Sequence, residues 1–239
     1  MRWLPVLLLL LASSDPHVQA QIDSPSAPPA TAEHGARVTF NYENQQLQPA
    51  KYTMVIFENG TGEFHSEPGS TPLEVTAAYQ PLGQPLDRTI QLSRVTTDKV
   101  FATAKGQKFF AIACQDDKDK IAFQGTKQLS YKGSDGSGSC TYNWSKIVAI
   151  QRITELLESI AFTLEEGRRL ELEHKHDRLA LDAELDVLLS TVKDGRASEI
   201  QNIQPTLQAI ADDEEILDRA RSRARKLLDE AGGVRAALP

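Results

Sequence analysis

The chain has 239 residues, with 33 acidic and 26 basic side chains and a formal net charge of −7. Apolar residues at 40% and charged residues at 25% describe a folded soluble protein rather than a disordered or membrane-embedded one. The acid excess argues against a nucleic-acid binder, which needs a basic face to displace phosphate counterions. The charge is uneven, since residues 37–144 carry 11 basic and 11 acidic side chains while residues 145–239 carry 14 and 19.

Arg2 provides a positive start, and Trp3 to Ala12 is an apolar run rich in leucine. Val18-Gln19-Ala20 then offers small or branched residues to a signal peptidase, so residues 1–20 are expected to be a signal peptide cut between Ala20 and Gln21. The apolar run is about half of the roughly 20 residues that span a bilayer, so no stable membrane insertion is expected after cleavage. No cysteine near the cut suggests a lipoprotein. The expected location is secreted or periplasmic. Residues 21–35 contain Pro25, Pro28 and Pro29 among small polar residues and read as a flexible leader.

Residues 36–164 read as an α+β domain. Val38, Phe40 and Tyr42 alternate with polar neighbours, as do Tyr52, Met54 and Ile56, which is the period of half-buried strands. Asn59-Gly60 predicts a hairpin returning through Glu63 to Ser66. Pro68 to Pro85 reads as a loop and Thr89 to Arg94 as a short strand. A helix is expected over Thr97 to Lys105, capped by Thr97, with Val100, Phe101 and Ala104 on one face. Lys108 to Cys114, Lys120 to Tyr131 and Ser139 to Trp144 look strand-like, the last two joined at Asp135-Gly136. The order predicts a mostly antiparallel sheet with one short and one long packed helix.

Residues 165–231 read as a helical extension and residues 232–239 as a disordered tail. Ile150, Ile153, Leu157, Ile160 and Leu164 form a first apolar stripe, and Leu181, Leu185, Leu188 and Val192 a second one. Thr163 and Glu166 make a capping-box pair that predicts a kink or a new helix near Gly167. Pro205 suits a helical first turn, and Asp212 with Glu215 would open a last helix whose far end holds Arg219, Arg221, Arg223, Arg225 and Lys226.

A strand followed by Asn59-Gly60-Thr61-Gly62, a helix running into Phe109-Phe110-Ala111-Ile112, then two strands and a closing helix form a pattern over roughly residues 51–164. It resembles the emfourin-like inhibitors of thermolysin-type metalloproteases and related exported domains of unassigned role. The resemblance implies a fold and no functional residue. The two cysteines, the long Pro-rich loop and the extra helices depart from the pattern.

Cys114 and Cys140 are the only cysteines, and an even count in an exported chain favours a disulfide. In a plain three-strand meander a strand would separate them beyond the roughly 7 Å limit for bridging. Either the sheet order differs or the thiols are free. His174 and His176 point to nearly opposite helix faces, unlike the i,i+4 spacing of zinc ligands, and read as a solvated polar face. Asp116, Asp117 and Asp119 lack the glycine and distal glutamate of a calcium loop. The run from Gly133 to Ser139 lacks the lysine and following helix of a phosphate loop, and Asp182 and Asp186 read as exposed acids. Asn59 and Asn143 begin glycosylation sequons.

No histidine stands beside a Cys, Ser or acid signature, so no catalytic, metal or cofactor site is expected. The expected function is that of a non-enzymatic binding protein with a protein partner, in its narrower form a protease inhibitor. The alternative is an envelope assembly factor that forms a homo-oligomer through its C-terminal helices. The stripes separate the two. Packed on the sheet they make a self-contained unit, and projecting they make an association surface.

Overall fold

The computed structural model describes residues 35–69, 83–115 and 121–236, with side chains through residue 232. The predicted cleavage point at Ala20 and Gln21, the leader up to residue 34, part of the Pro-rich loop and the acidic turn at Asp116 to Asp119 lie outside these residues. The described part is an α+β fold, as the alternating and helical periods predict.

Strands β1 (Arg37–Glu43), β2 (Lys51–Phe57), β3 (Thr61–Glu67) and β4 (Leu86–Gln91) form a meander. Helix α1 (Arg94–Gly106) then returns the chain so that β5 (Thr126–Gly133) pairs with the free side of β1, and β6 (Gly136–Tyr142) follows by a hairpin. The sheet order is therefore β4-β3-β2-β1-β5-β6, antiparallel at every step. Period two decides which face is covered. Val38, Phe40, Met54, Ile56, Phe64, Ile90, Leu129 and Tyr131 are buried together under α1 and the first half of α2 (Val148–His176). On α2, the stripe Ile150, Ile153, Leu157, Ile160 and Leu164 packs there, each side chain contributing about 1.5–3 kcal/mol.

The same helix starts a second core at Leu170. Helices α3 (Leu181–Lys193), α4 (Gln204–Asp212) and α5 (Asp218–Ala236) close around it through Leu181, Leu185, Leu188, Leu207, Ile210 and Leu227. Pro205 sits in the first turn of α4 as expected. Both predicted stripes thus face inward, with Val192 partly buried at the end of the second.

Several expectations are corrected. The chain does not break at Gly167, because α2 runs uninterrupted for 29 residues. Thr163 is buried in mid-helix, its hydroxyl donating to the Ser159 carbonyl. Gly167 serves packing instead, since a Cβ there would lie 2.3 Å from Ile203 Cγ2. The last helix starts at Asp218, after a turn, rather than at Asp212. Helix α1 is capped by Ser93, whose hydroxyl accepts from the Thr96 amide, rather than by Thr97.

Residues 108–114 are not a strand. Lys108, Phe109 and Phe110 take left-handed backbone angles (φ 52, 58 and 65°) in a 3-10 turn. Phe110 is fully buried and Phe109 stacks on Tyr131 at 4.9 Å, and these contacts offset a backbone that costs about 1–2 kcal/mol per residue. The segment then runs beside β6, with Cys114 bonded to Cys140 at a Cα separation of 5.8 Å. No strand intervenes, which removes the geometric objection to the bridge.

Asp182 and Asp186 are not merely exposed acids. Asp182 is buried against Arg219 and Arg223, and Asp186 lies 2.9 Å from Arg223. The arginines of α5 hold α3 rather than only complementing a helix end. His174 is likewise engaged, its Nε2 lying 2.8 Å from Asp213 Oδ2.

Candidate functional site

The face of the sheet away from the helices carries a polar row across five strands. Asp87, His65, Thr53, Asn41 and Gln128 are successive cross-strand partners. Thr53 donates to Asn41 at 2.8 Å and Asn41 to Gln128 at 3.0 Å. His65 Nδ1 lies 2.7 Å from Asp87 on the neighbouring strand and Nε2 lies 3.5 Å from Glu67 on its own, so two acids flank the ring. The hydrogen bond to Asp87 raises the His65 pKa, which favours the imidazolium and works against a general base.

The other side of the sheet holds a cleft of about 500 Å³ between the β1–β2 loop and α2. That volume lies within the usual range for ligand sites. Tyr42 and Tyr52 stack at its base with ring centroids 5.0 Å apart. Leu47, Gln48 and Pro49, which follows a cis peptide bond, form one wall. Glu158, Phe162, Glu165 and Arg169 of α2 form the other. Leu47 is half exposed at the rim.

Local structure fixes the charged groups. Gly125 takes a left-handed φ of 103°, and a Cβ there would lie 2.8 Å from the Tyr42 ring, so the chain can pass Tyr42 only as glycine. The neighbouring Gln124 carbonyl accepts from the Tyr42 hydroxyl at 3.1 Å, and Asn143 holds the Gln124 amide at 2.6 Å. Lys127 then points inward with its side chain only 6% exposed. Its ammonium donates to the carbonyls of Asn143 (3.1 Å) and Gln124 (3.3 Å), and lies 3.7 Å from Glu158 and 5.4 Å from the Tyr42 ring centre. Burial lowers the Lys127 pKa while Glu158 opposes the shift, and burial raises that of Glu158 against the pull of Lys127. A buried ammonium satisfied on this many sides is a fixed part of the wall.

Glu165 accepts from Ser66 and pairs with Arg168, whose guanidinium also donates to the Gln84 carbonyl at 2.8 Å. Gly69 donates to Gln48 at 2.9 Å, so both described ends of the β3–β4 connection abut the cleft. Beside it, Glu166 and Glu173 of α2 are buried near Glu184 of α3, each with one oxygen lacking a hydrogen-bond partner. Burial first, then the neighbouring carboxylates, push Glu166 up to about 8 and Glu173 up to about 7.

Of the residues singled out in sequence, Cys114 and Cys140 are brought together, away from the cleft lining. None of Tyr42, Lys127, Glu158 or Arg169 carries a motif. Lys127 and Glu158 alone hint at it, as charges within apolar alternation and beside an apolar stripe. No helix among the described residues is long and apolar enough to cross a membrane, and no group of three or more His, Cys, Asp or Glu among them could hold a metal ion. Comparison with known protein families, curated proteins and solved structures finds no match to this chain.

Proposed function

We propose that this chain is an exported, non-enzymatic binding protein that engages a polypeptide partner at the cleft between the β1–β2 loop and α2. The observation carrying this reading is the cleft itself, with a Tyr42–Tyr52 base, an exposed Leu47 rim and charges of both signs along α2. Aromatic anchors inside a polar margin are the chemistry that protein interfaces use. Export rests on the segment ending at Ala20, and the Cys114–Cys140 bridge fits an oxidising compartment. Protease inhibition is the narrower form, supported by the resemblance of residues 51–164 to emfourin-like inhibitors. Burial of Leu181, Leu185 and Leu188 in the second core favours this reading over self-association through the helical stripes.

A displayed random-peptide library selected on the mature, oxidised protein tests the reading. Binders should be weakened by Phe162→Ala, at a side chain that also packs on the second core, and by Leu47→Asp at the half-exposed rim, with both variants melting as cooperative folded proteins. Binders indifferent to both substitutions would place the interaction elsewhere. Inhibition of a thermolysin-type protease by the mature chain tests the narrower form.

A further inference from the structure

The cleft is charged in a definite pattern, and this inference rests on its being the binding site. Most of its ionic groups are already committed. Lys127 is held by two carbonyls and Glu158, while Glu165 and Arg168 pair with each other and with Ser66 and Gln84. Glu166 is buried towards Glu184. Two lining charges retain open surface. The Glu158 side chain is 38% exposed with the Lys127 ammonium 3.7 Å away, and the Arg169 side chain is 46% exposed with Glu184 at 3.4 Å.

Both residues project from the same face of α2, three turns apart, about 16 Å along the axis. Between them lie Ala161 and Phe162, facing Leu47, Pro49 and Tyr52 across the cleft. An extended chain advances about 3.3 Å per residue, so about five residues cover that span. A helical segment would need about eleven residues to cover the same distance, so the spacing of the two charges in a bound segment reports its conformation. We propose that the cleft takes an extended segment of a partner polypeptide carrying a basic side chain against Glu158 and, about five residues away, an acidic one against Arg169. Apolar side chains between the two charges meet Phe162 and the Leu47–Pro49 wall. Opposite charges at the two ends fix the register, since a shift or reversal sets like charge against like.

The test uses blocked synthetic octapeptides titrated into the mature, oxidised protein. One carries lysine and glutamate five positions apart around apolar residues, a second carries glutamine at both positions, and a third brings the charges two positions apart. The first should bind at least about tenfold more tightly than the others, with the advantage shrinking as salt rises. Arg169→Glu should remove the advantage and transfer it to a peptide with lysine at both positions. Arg169→Gln should remove it without the transfer, and gives the same answer should the reversal disturb Glu184. Equal binding of the neutral peptide, or an unchanged preference in both variants, would overturn the inference. Library binders that need the cleft yet lack the spaced charges would also overturn it while leaving the cleft as the site; a library with no cleft-dependent binder would overturn both.

Discussion

Glu199 presents its carboxylate to Ser93, 2.6 Å from the amide and 2.8 Å from the hydroxyl, so a residue of the helical half closes the first turn of α1 beside the sheet. The same carboxylate accepts from Thr96 Oγ1 at 2.5 Å, and Glu199 itself takes a left-handed φ of 58° to reach this position. The two cores are joined by this contact as well as by α2.

Glu199→Ala should therefore destabilise by about 2–3 kcal/mol, because it strips charge-assisted bonds from a helix N-terminus and leaves part-buried donors unpaired. Urea unfolding of wild type and variant measures it. A loss below about 0.5 kcal/mol would show that the contact is replaceable by water.

Gly167→Ala separates two opposed effects. Helix propensity alone would stabilise by about 1 kcal/mol. A Cβ placed 2.3 Å from Ile203 instead forces repacking, which costs about 1–3 kcal/mol. Net destabilisation is expected, and adding Ile203→Ala should restore most of the difference between glycine and alanine at 167. A stabilised single variant would contradict the close approach.

The buried carboxyls of Glu166 and Glu173 make stability depend on pH. Unfolded, both titrate near 4.5, whereas folded they hold their protons to about 8 and about 7. Between those limits the folded chain binds protons that the unfolded chain has released, so stability is full below about 4.5 and is lost as pH rises through 7 and 8. His65, raised by Asp87, acts in the same direction. Melting temperature should fall by at least about 3 °C from pH 5.5 to 8.5. Glu166→Gln should flatten that slope; an unchanged slope in the variant would assign the effect to other groups.

Removing the Cys114–Cys140 bridge by replacing both residues with serine should cost about 3–4 kcal/mol on the chain-entropy view of its loop. The turn at Lys108 to Phe110 should be the first segment to gain amide exchange, because its left-handed backbone depends on neighbouring anchors. Uniform loss of protection across the sheet would contradict that local role.

How much of this was legible in sequence depends on distance along the chain. Strands β1 and β2 announce themselves by alternation, and the stripe from Ile150 to Leu164 announces a helix, because each period is local. The turn at Phe109 and Phe110 does not. Nothing in Lys-Phe-Phe signals left-handed backbone, and the aromatic pair mimics a strand. Gly167 looks like a breaker to any local rule, since the reason for it is Ile203 on another element. Asp182 looks exposed until α5 brings Arg223 to it. The cleft was illegible for the same reason, being assembled from β1, the β1–β2 loop, β2, the start of β5 and α2, whose contributions lie up to more than a hundred residues apart in sequence.

Seating of an extended segment with opposite charges at its two ends in the cleft along α2 leaves a residue-by-residue signature. Amide and side-chain NMR shifts during titration with the lysine–glutamate octapeptide read that signature. Saturating changes are expected only in the β1–β2 loop around Gln48, at Tyr52 and Gln124, and in α2 from Glu158 to Arg169, with the peptide's lysine near Glu158 and its glutamate near Arg169. Shifts centred on the open sheet face around His65, on β6 or on α5, with the cleft residues unmoved, would contradict it.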